Sequence, residues 1–184
     1  CTGLKNIPPA NDSAFIQTLP AELVANMPQR PVIKHGMAMA YYSPSSDVVN
    51  MPDHARFQSE NHYHATLFHE LVHSTGHEKR LKRASIMEWN GYGSDPYAKE
   101  ELIAEMGSAF LCGYAGIVDQ TIDSSAAYLE GWLKQLKEDK TLIVYAAAQA
   151  QKAADFILGI GPEDQANHII PKTTAPPRPA EVMA

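Results

Sequence analysis

One short segment, His69-Glu70-Leu71-Val72-His73, holds the residues best suited to chemistry. Two histidines four positions apart on a helix project from one face, so their ring nitrogens can converge on a single metal ion. Glu70, beside the first histidine, can act as the general base that takes a proton from a metal-bound water. This spacing predicts metal-dependent hydrolysis. The competing interpretation is a partly buried helix whose histidines bond to backbone or carboxylate groups.

A zinc ion held by two histidines needs a third protein ligand and keeps one position for water or substrate. Glu101 and Glu105 are one turn apart on the next predicted helix and therefore share a face. That face borders an apolar stripe, and a nearly buried carboxylate needs a cation or a donor beside it. We predict that Glu101 binds the metal and that Glu105 accepts the distal N–H of a ligand histidine. The reverse assignment, and two solvated glutamates that bind no metal, stay open.

Metal-dependent hydrolysis also requires a donor that steadies the developing oxyanion, and tyrosine or histidine commonly supplies it. The candidates are Tyr97, Tyr92 and His77, of which the first lies on the predicted helix of the glutamates. His77 is also a weaker candidate for the third ligand. The longer motif His-Glu-x-x-His-x-x-Gly-x-x-His would place a histidine at position 79, which is Lys79. We therefore expect His77 to bond to the backbone of its loop.

Length and composition place these residues in one ordinary soluble domain. The chain has 184 residues, of which 45% are apolar and 20% charged, enough to bury a core without disulfides. Its 21 acidic against 15 basic residues give a net charge of −6, which argues against a stand-alone nucleic-acid clamp. No apolar run approaches the ~18 residues of a membrane span. Cys1 and Cys112 cannot form a disulfide framework, so a reducing, cytoplasmic compartment is expected.

A basic cluster, formed by Lys79, Arg80, Lys82 and Arg83, follows the motif. It could contact phosphate, and direct DNA binding through it would be sensitive to salt. We expect a solvated turn instead. Cys112 lies in an apolar segment with no base placed near it, which predicts a buried free thiol and not a nucleophile.

Hydrophobic spacing and turn residues predict a small strand set followed by helices, which is typical of an α+β fold with segregated halves. The predicted helices are 13–27, which Pro20 should interrupt, 62–75, 96–115, 124–137 and 141–158. The predicted strands are 31–35, 37–43 and 47–51, the first two forming a hairpin or bulged pair about Gly36. The strand at 47–51 is expected at a sheet edge, where an extended peptide could pair beside the metal.

Most of the chain, from Cys1 to Gly159, resembles the C-terminal zincin-like metallopeptidase domain of ArdC-type antirestriction proteins. The same domain is found in TraC-type plasmid primases and phage polyvalent proteins. The similar segments are AYYSPSSDVVNMPDHARF, TLFHELVHSTGH, YAKEELIAEMGSAFLC and WLKQLKEDKTLIVYAAAQAQKAADFILG. The resemblance implies a zincin-like fold, in which a small N-terminal mixed sheet precedes a helical half with the His-Glu-x-x-His helix.

The resemblance also implies a gluzincin site, in which the two motif histidines and a glutamate bind one zinc ion per chain. Related zincins often read Glu-x-x-Ala-Asp or Glu-x-x-Ala-Asn on the helix of the third ligand. Residues 101–105 read Glu-Leu-Ile-Ala-Glu, which is similar to that pattern except for the last residue. The similarity favours Glu101 over Glu105 as the metal ligand.

The domain organisation and the biology are implied in the same way. Residues 1–12 would be a linker from a missing N-terminal domain that binds single-stranded DNA, 13–160 the metallopeptidase domain and 161–184 a Pro-rich, flexible tail. The expected function is zinc-dependent hydrolysis of a protein or peptide substrate by a plasmid- or phage-encoded antirestriction protein in a bacterial cytoplasm. The alternative is a non-catalytic, metal-stabilised module that binds a partner in antirestriction or DNA-transfer protection.

Overall fold

The computed structural model describes residues 20–87, 95–117 and 140–161. The elements are, in chain order, α1 (Pro20–Asn26), β1 (Val32–Lys34), β2 (Tyr41–Ser43), β3 (Val48–Asn50), a 3-10 helix (His54–Arg56), α2 (Glu60–Thr75), α3 (Ala84–Met87), α4 (Asp95–Tyr114) and α5 (Lys140–Ile157). The predicted α+β order, with a small sheet first and helices after it, is confirmed. The predicted linker, tail and helix at 124–137 lie outside the described residues, as does Tyr92.

Both ends of helix α2, which contains the histidine motif, are fixed by local hydrogen bonds. Ser59 precedes the helix in an extended conformation, and its side chain accepts a hydrogen bond from the His62 N–H at 3.3 Å. The helix ends at Thr75, and the N–H of Gly76 bonds back to the His73 carbonyl. The predicted end of this helix at Gly76 is therefore confirmed.

Pro20 is the first residue of α1 in the described part of the chain, so the predicted interruption of a longer helix there stays a prediction. At a first-turn position the fixed φ of proline suits a helix, and its missing N–H costs no hydrogen bond. Leu23 and Val24 of this short helix are then buried in the core. Residues 13–19 of the predicted helix lie outside the described part of the chain.

The three strands form one mixed sheet in the order β1-β3-β2. β1 runs parallel to β3, and β2 runs antiparallel to it. The predicted hairpin between the first two strands is therefore wrong, because β3 lies between them. All three residues of β3 are buried, as a central strand requires, whereas β1 and β2 both expose residues. The predicted sheet edge at 47–51 is also wrong, since the outer strands are β1 and β2.

The core lies between α2, α4, α5 and the sheet. Its completely or almost completely buried residues include Phe68, Leu71, Val72, Leu102, Ile103, Leu111, Ala146, Ala150 and Ile157. Cys112 is a buried free thiol, as predicted. Gly159, at a φ of 68° that suits glycine, follows the end of α5 as the sequence indicates. Within the described ranges, no helix is long and apolar enough to cross a membrane.

A glycine permits the close approach of α4 to α2 on which the candidate site depends. A Cβ added at Gly107 of α4 would lie 2.8 and 3.0 Å from the two γ-methyl groups of Val72 on α2. Val72 is completely buried, and a β-branched side chain has little freedom to rotate away. The two helices could not pack this closely with any larger residue at position 107.

We expect Gly107→Ala to destabilise the fold by about 1–3 kcal/mol, because the added methyl overpacks this contact. Alanine's higher helix propensity opposes the loss by at most about 1 kcal/mol. Urea denaturation followed by circular dichroism measures the difference. Gly113→Ala, at an exposed position of the same helix, is the matched control and should be neutral or stabilising. Equal stabilisation by both substitutions would contradict a tight contact at Gly107.

Candidate metal centre

Helices α2 and α4 bring the predicted metal ligands together in one place. His69 and His73 lie one turn apart on α2, with their Nε2 atoms 3.2 Å from each other. Each Nε2 is 3.5 Å from an oxygen of the Glu101 carboxylate on α4. Among the described residues, this is the one group of three or more metal-ligating side chains whose ligand atoms all lie within 4.8 Å of one another. These are the three side chains predicted as ligands, and their binding of a metal ion stays a prediction.

These separations fit a tetrahedral metal ion. Zn–N and Zn–O bonds of about 2.0–2.1 Å at tetrahedral angles place neighbouring ligand atoms about 3.3 Å apart. The observed separations among the ring nitrogens and the carboxylate oxygens are 3.2 and 3.5 Å. Two imidazole nitrogens and one carboxylate are also a donor set that suits a divalent transition metal. The three side chains can therefore hold a metal ion with little rearrangement.

The same side chains shift each other's pKa values through burial, hydrogen bonds and charge. Burial alone would lower the pKa of the His69 imidazole, but hydrogen bonds to Glu101 and Glu105 raise it to about 10. Burial would raise the pKa of Glu101, and this is outweighed by the hydrogen bond to His69, the nearby His73 and a hydrogen bond from Tyr97, which lower it to about 2. The carboxylates of Glu101 and Glu105 thus favour a positive charge at this position, which a metal cation could supply.

Each motif histidine has a carboxylate at its other ring nitrogen. Glu105 Oε2 lies 3.4 Å from His69 Nδ1, which is the contact predicted for it. Glu100 Oε1 lies 3.4 Å from His73 Nδ1. No role was predicted for Glu100 from the sequence. The one signal of its burial is that the apolar residues Ile103 and Ala104 lie three and four positions later, on the same face of the helix.

The choice between Glu101 and Glu105 as third ligand can be tested by replacing each with glutamine, which removes the charge and keeps the shape of the side chain. We expect Glu101→Gln to weaken zinc binding far more than Glu105→Gln. Loss of a hydrogen-bond partner of a ligand histidine typically costs about 10–100-fold in metal affinity, whereas loss of a ligand costs more. Competition against a chelator of known zinc affinity measures both. A larger loss with Glu105→Gln would reverse the assignment.

Glu70 lies in the same cavity as the histidines. The cavity has a volume of about 480 Å³, and its lining includes residues of β2, α2, α3 and α4. Burial raises the pKa of the Glu70 carboxyl, against the opposing influence of His73 and His69 and of a hydrogen bond from the Tyr42 backbone N–H. The carboxyl is therefore a proton acceptor held beside the ligand histidines, in a site only partly open to solvent.

The two described oxyanion candidates are placed differently. Tyr97 lines the cavity, and its hydroxyl hydrogen-bonds to Glu101. His77 is buried but does not line the cavity, and its Nδ1 accepts a hydrogen bond from the Lys79 N–H at 3.3 Å. This contact is the local backbone bond expected for a loop histidine. The geometry thus favours Tyr97 as the donor.

Half of the basic cluster is buried, so the predicted solvated turn is wrong for its two arginines. The Arg80 side chain is 1% exposed and forms an ion pair with Asp47. The Arg83 side chain is 4% exposed and forms an ion pair with Glu100. Only Lys79 and Lys82 are exposed. A turn rich in basic residues is solvated when no carboxylate lies beneath it. Here Asp47 and Glu100, from distant parts of the chain, lie beneath the turn and pair with the two arginines.

This chain is similar to several known proteins. A family model described as a zincin-like metallopeptidase matches residues 21–149. A DNA primase TraC of Escherichia coli is 44% identical over 127 residues, which are 68% of this chain and 12% of the primase. Protein y4eC of Sinorhizobium fredii is 36% identical over 138 residues, which are 74% of this chain and 44% of that protein. The chain thus spans less than half of these relatives.

Two crystal structures of the antirestriction protein ArdC from plasmid R388 are similar to this chain. The metal-free structure is 38% identical, with a TM-score of 0.56, over 89% of this chain and 54% of that one. The Mn(II)-bound structure is 39% identical, with the same TM-score, over 89% of this chain and 56% of that one. The ArdC chain has therefore been solved both with and without a metal ion, and this chain spans about half of it.

Proposed function

This chain belongs to the zincin-like metallopeptidase family, and we propose that it is a zinc-dependent metallopeptidase domain of the gluzincin type. His69, His73 and Glu101 would hold one Zn²⁺, and Glu70 would be the general base. The observation that supports this most is the convergence of two Nε2 atoms and one carboxylate beside a buried Glu70. The presence of Mn(II) in the similar ArdC structure also supports a divalent-metal site here.

The chain's own side chains divide the work of peptide hydrolysis. A zinc ion held by His69, His73 and Glu101 would supply Lewis acidity and would lower the pKa of water at the site to about 7. Glu70 accepts the proton of the attacking water and then passes it to the leaving amine. The raised pKa of Glu70 suits the first step of this shuttle, because a more basic carboxylate is a better acceptor of the water proton. Tyr97 faces the same cavity, where its hydroxyl would turn from Glu101 to donate to the developing oxyanion.

The substrate would be an extended peptide that pairs with the sheet beside the cavity. Pairing needs an outer strand with unpaired backbone groups. The outer strand beside the cavity is β2, not β3, and Tyr41 and Tyr42 of β2 line the cavity. The Tyr42 N–H already donates to Glu70, so a peptide would pair with the other outward backbone groups of β2. A peptide laid along β2 would therefore pass the two ligand histidines. The lining includes Met39 and Ile86, which favours apolar side chains in the substrate.

Metal-dependent peptide cleavage is the test. The purified chain is incubated with a denatured-protein mixture, and new peptide termini are identified by mass spectrometry. We expect cleavage that stops on addition of a chelator and resumes when zinc is restored in slight excess over the chelator. A metal-loaded chain that produces no new termini from any mixture would contradict catalysis.

The second candidate function is a non-catalytic, metal-stabilised binding module in antirestriction or DNA-transfer protection. It is favoured by the similarity to an antirestriction protein and to primases of which this chain spans only a part. In the full-length protein, a separate domain would then bind single-stranded DNA, and this domain would bind a protein partner in the bacterial cytoplasm. Antirestriction activity that survives loss of Glu70 but not loss of the metal ligands would favour this function over catalysis.

A further inference from the structure

Arg83 and Glu100 form a buried ion pair beside the proposed metal centre, with side chains 4% and 3% exposed. Arg83 donates from Nη2 to Oε1 and from Nε to Oε2 of Glu100, at 2.5 and 3.0 Å. It also donates from Nη1 to Thr75 Oγ1 and from Nη2 to the Val72 carbonyl, at 2.6 and 2.7 Å. Ser85 Oγ donates to Glu100 Oε2 at 2.6 Å. The Glu100 carboxylate is thus held by Ser85 of α3 and by Arg83 of the preceding loop, and Arg83 is in turn held by α2.

The carboxylate held in this way contacts a proposed metal ligand. Glu100 Oε1 lies 3.4 Å from His73 Nδ1, while His73 Nε2 lies 3.5 Å from Glu101. A carboxylate beside Nδ1 keeps the ring proton on that nitrogen, so that Nε2 presents its lone pair. It also limits rotation of the ring. One ring nitrogen of His73 is therefore fixed by Glu100, and the other is directed at the position between the three ligands.

We propose that Glu100 and Arg83 are positioning residues for His73. Glu100 sets the tautomer and the rotation of the His73 ring, and Arg83 holds Glu100 where it can do so. The inference rests on the proposed function, in that His73 must be a metal ligand. Neither residue has a role in the chemistry itself.

The carboxylate beside His73 needs an arginine partner, whereas the carboxylate beside His69 does not, because the two differ in burial. Glu105 contacts His69 Nδ1 at the same 3.4 Å, but its side chain is 14% exposed, against 3% for Glu100. A carboxylate as deeply buried as Glu100 requires a paired cation and several hydrogen bonds. Arg83 provides both through a two-point contact that lysine cannot reproduce. Glu100 and Arg83 should therefore act as a unit.

Titration of the metal-free chain with Co²⁺ tests the proposal, because visible absorption reports both affinity and ligand geometry. We expect Glu100→Gln to weaken Co²⁺ binding about 10–100-fold and to change the absorption spectrum. The double variant Arg83→Met/Glu100→Met should do the same, because it removes the contact to His73 without leaving a buried charge unpaired. Arg83→Lys should lie between these and wild type. Lys82→Met, an exposed loss of charge next to Arg83, should match wild type.

Thermal denaturation of each metal-free variant separates positioning from general destabilisation. Wild-type Co²⁺ affinity and spectrum in a folded Glu100→Gln variant would overturn the proposal, whether or not the double variant folds. A spectrum that changes in Lys82→Met as much as in Glu100→Gln would also overturn it. If the wild-type chain itself takes up no Co²⁺, the proposed metal site fails, and this inference fails with it.

Discussion

Glu70→Gln is expected to abolish peptide cleavage while zinc remains bound. A general base contributes about 10²–10⁴-fold to a rate, and glutamine cannot accept the proton of the attacking water. The amide has nearly the same shape as the carboxyl, so the packing of the buried side chain is preserved. Glu70 is not one of the three ligands that converge on the proposed ion. Cleavage rate and zinc content per chain, measured on the same preparation, give the two required quantities.

The matched control is Glu78→Gln, which removes the same charge from an exposed carboxyl just after α2. It should leave the cleavage rate unchanged. Wild-type cleavage by Glu70→Gln would exclude Glu70 as the base. If the isolated chain cleaves nothing, the same substitution in the full-length protein still separates the two proposed functions. Retained antirestriction activity would then favour the binding module, and lost activity with intact folding and partner binding would favour catalysis.

The local part of the site could be predicted because it depends on the geometry of one helix. Residues four apart on a helix share a face whatever surrounds them, so the pairing of His69 with His73 follows from spacing alone. Glu101 and Glu105 follow the same rule on α4. The end of α2 at Gly76 could be predicted for the same reason, since the capping contact is made within a single turn.

Contacts between distant parts of the chain could not be predicted in this way. Strand order depends on pairing across the sheet, and nothing near Gly36 indicates that β3 will lie between β1 and β2. Adjacent residues such as Glu100 and Glu101 point in different directions on an isolated helix, and only the packing of α4 against α2 and α3 gives both a partner. Arg83 was misjudged because its burial requires Glu100, which is 17 residues away.

His69→Ala is expected to remove the stabilisation that zinc gives to the fold. A ligand that binds only the folded state adds about 2.7 kcal/mol at a free concentration one hundred times its dissociation constant. Wild type should therefore melt at a higher temperature with zinc than without, and should contain one zinc ion per chain. The variant should show neither effect. Thermal denaturation with and without zinc, together with elemental analysis of protein purified without chelator or metal-affinity resin, measures both.

The decisive comparison is with His64→Ala, a histidine on the same helix that lies outside the three-ligand group. Its zinc content and its response to zinc should equal those of wild type. A response lost equally in both variants would mean that zinc binds through histidines in general and not at this centre. Wild-type zinc content in His69→Ala would remove His69 from the ligand set. Because the apolar core contains none of the three proposed ligands, we expect the zinc-free chain to remain folded, so the difference between the two variants reports binding and not collapse of the domain.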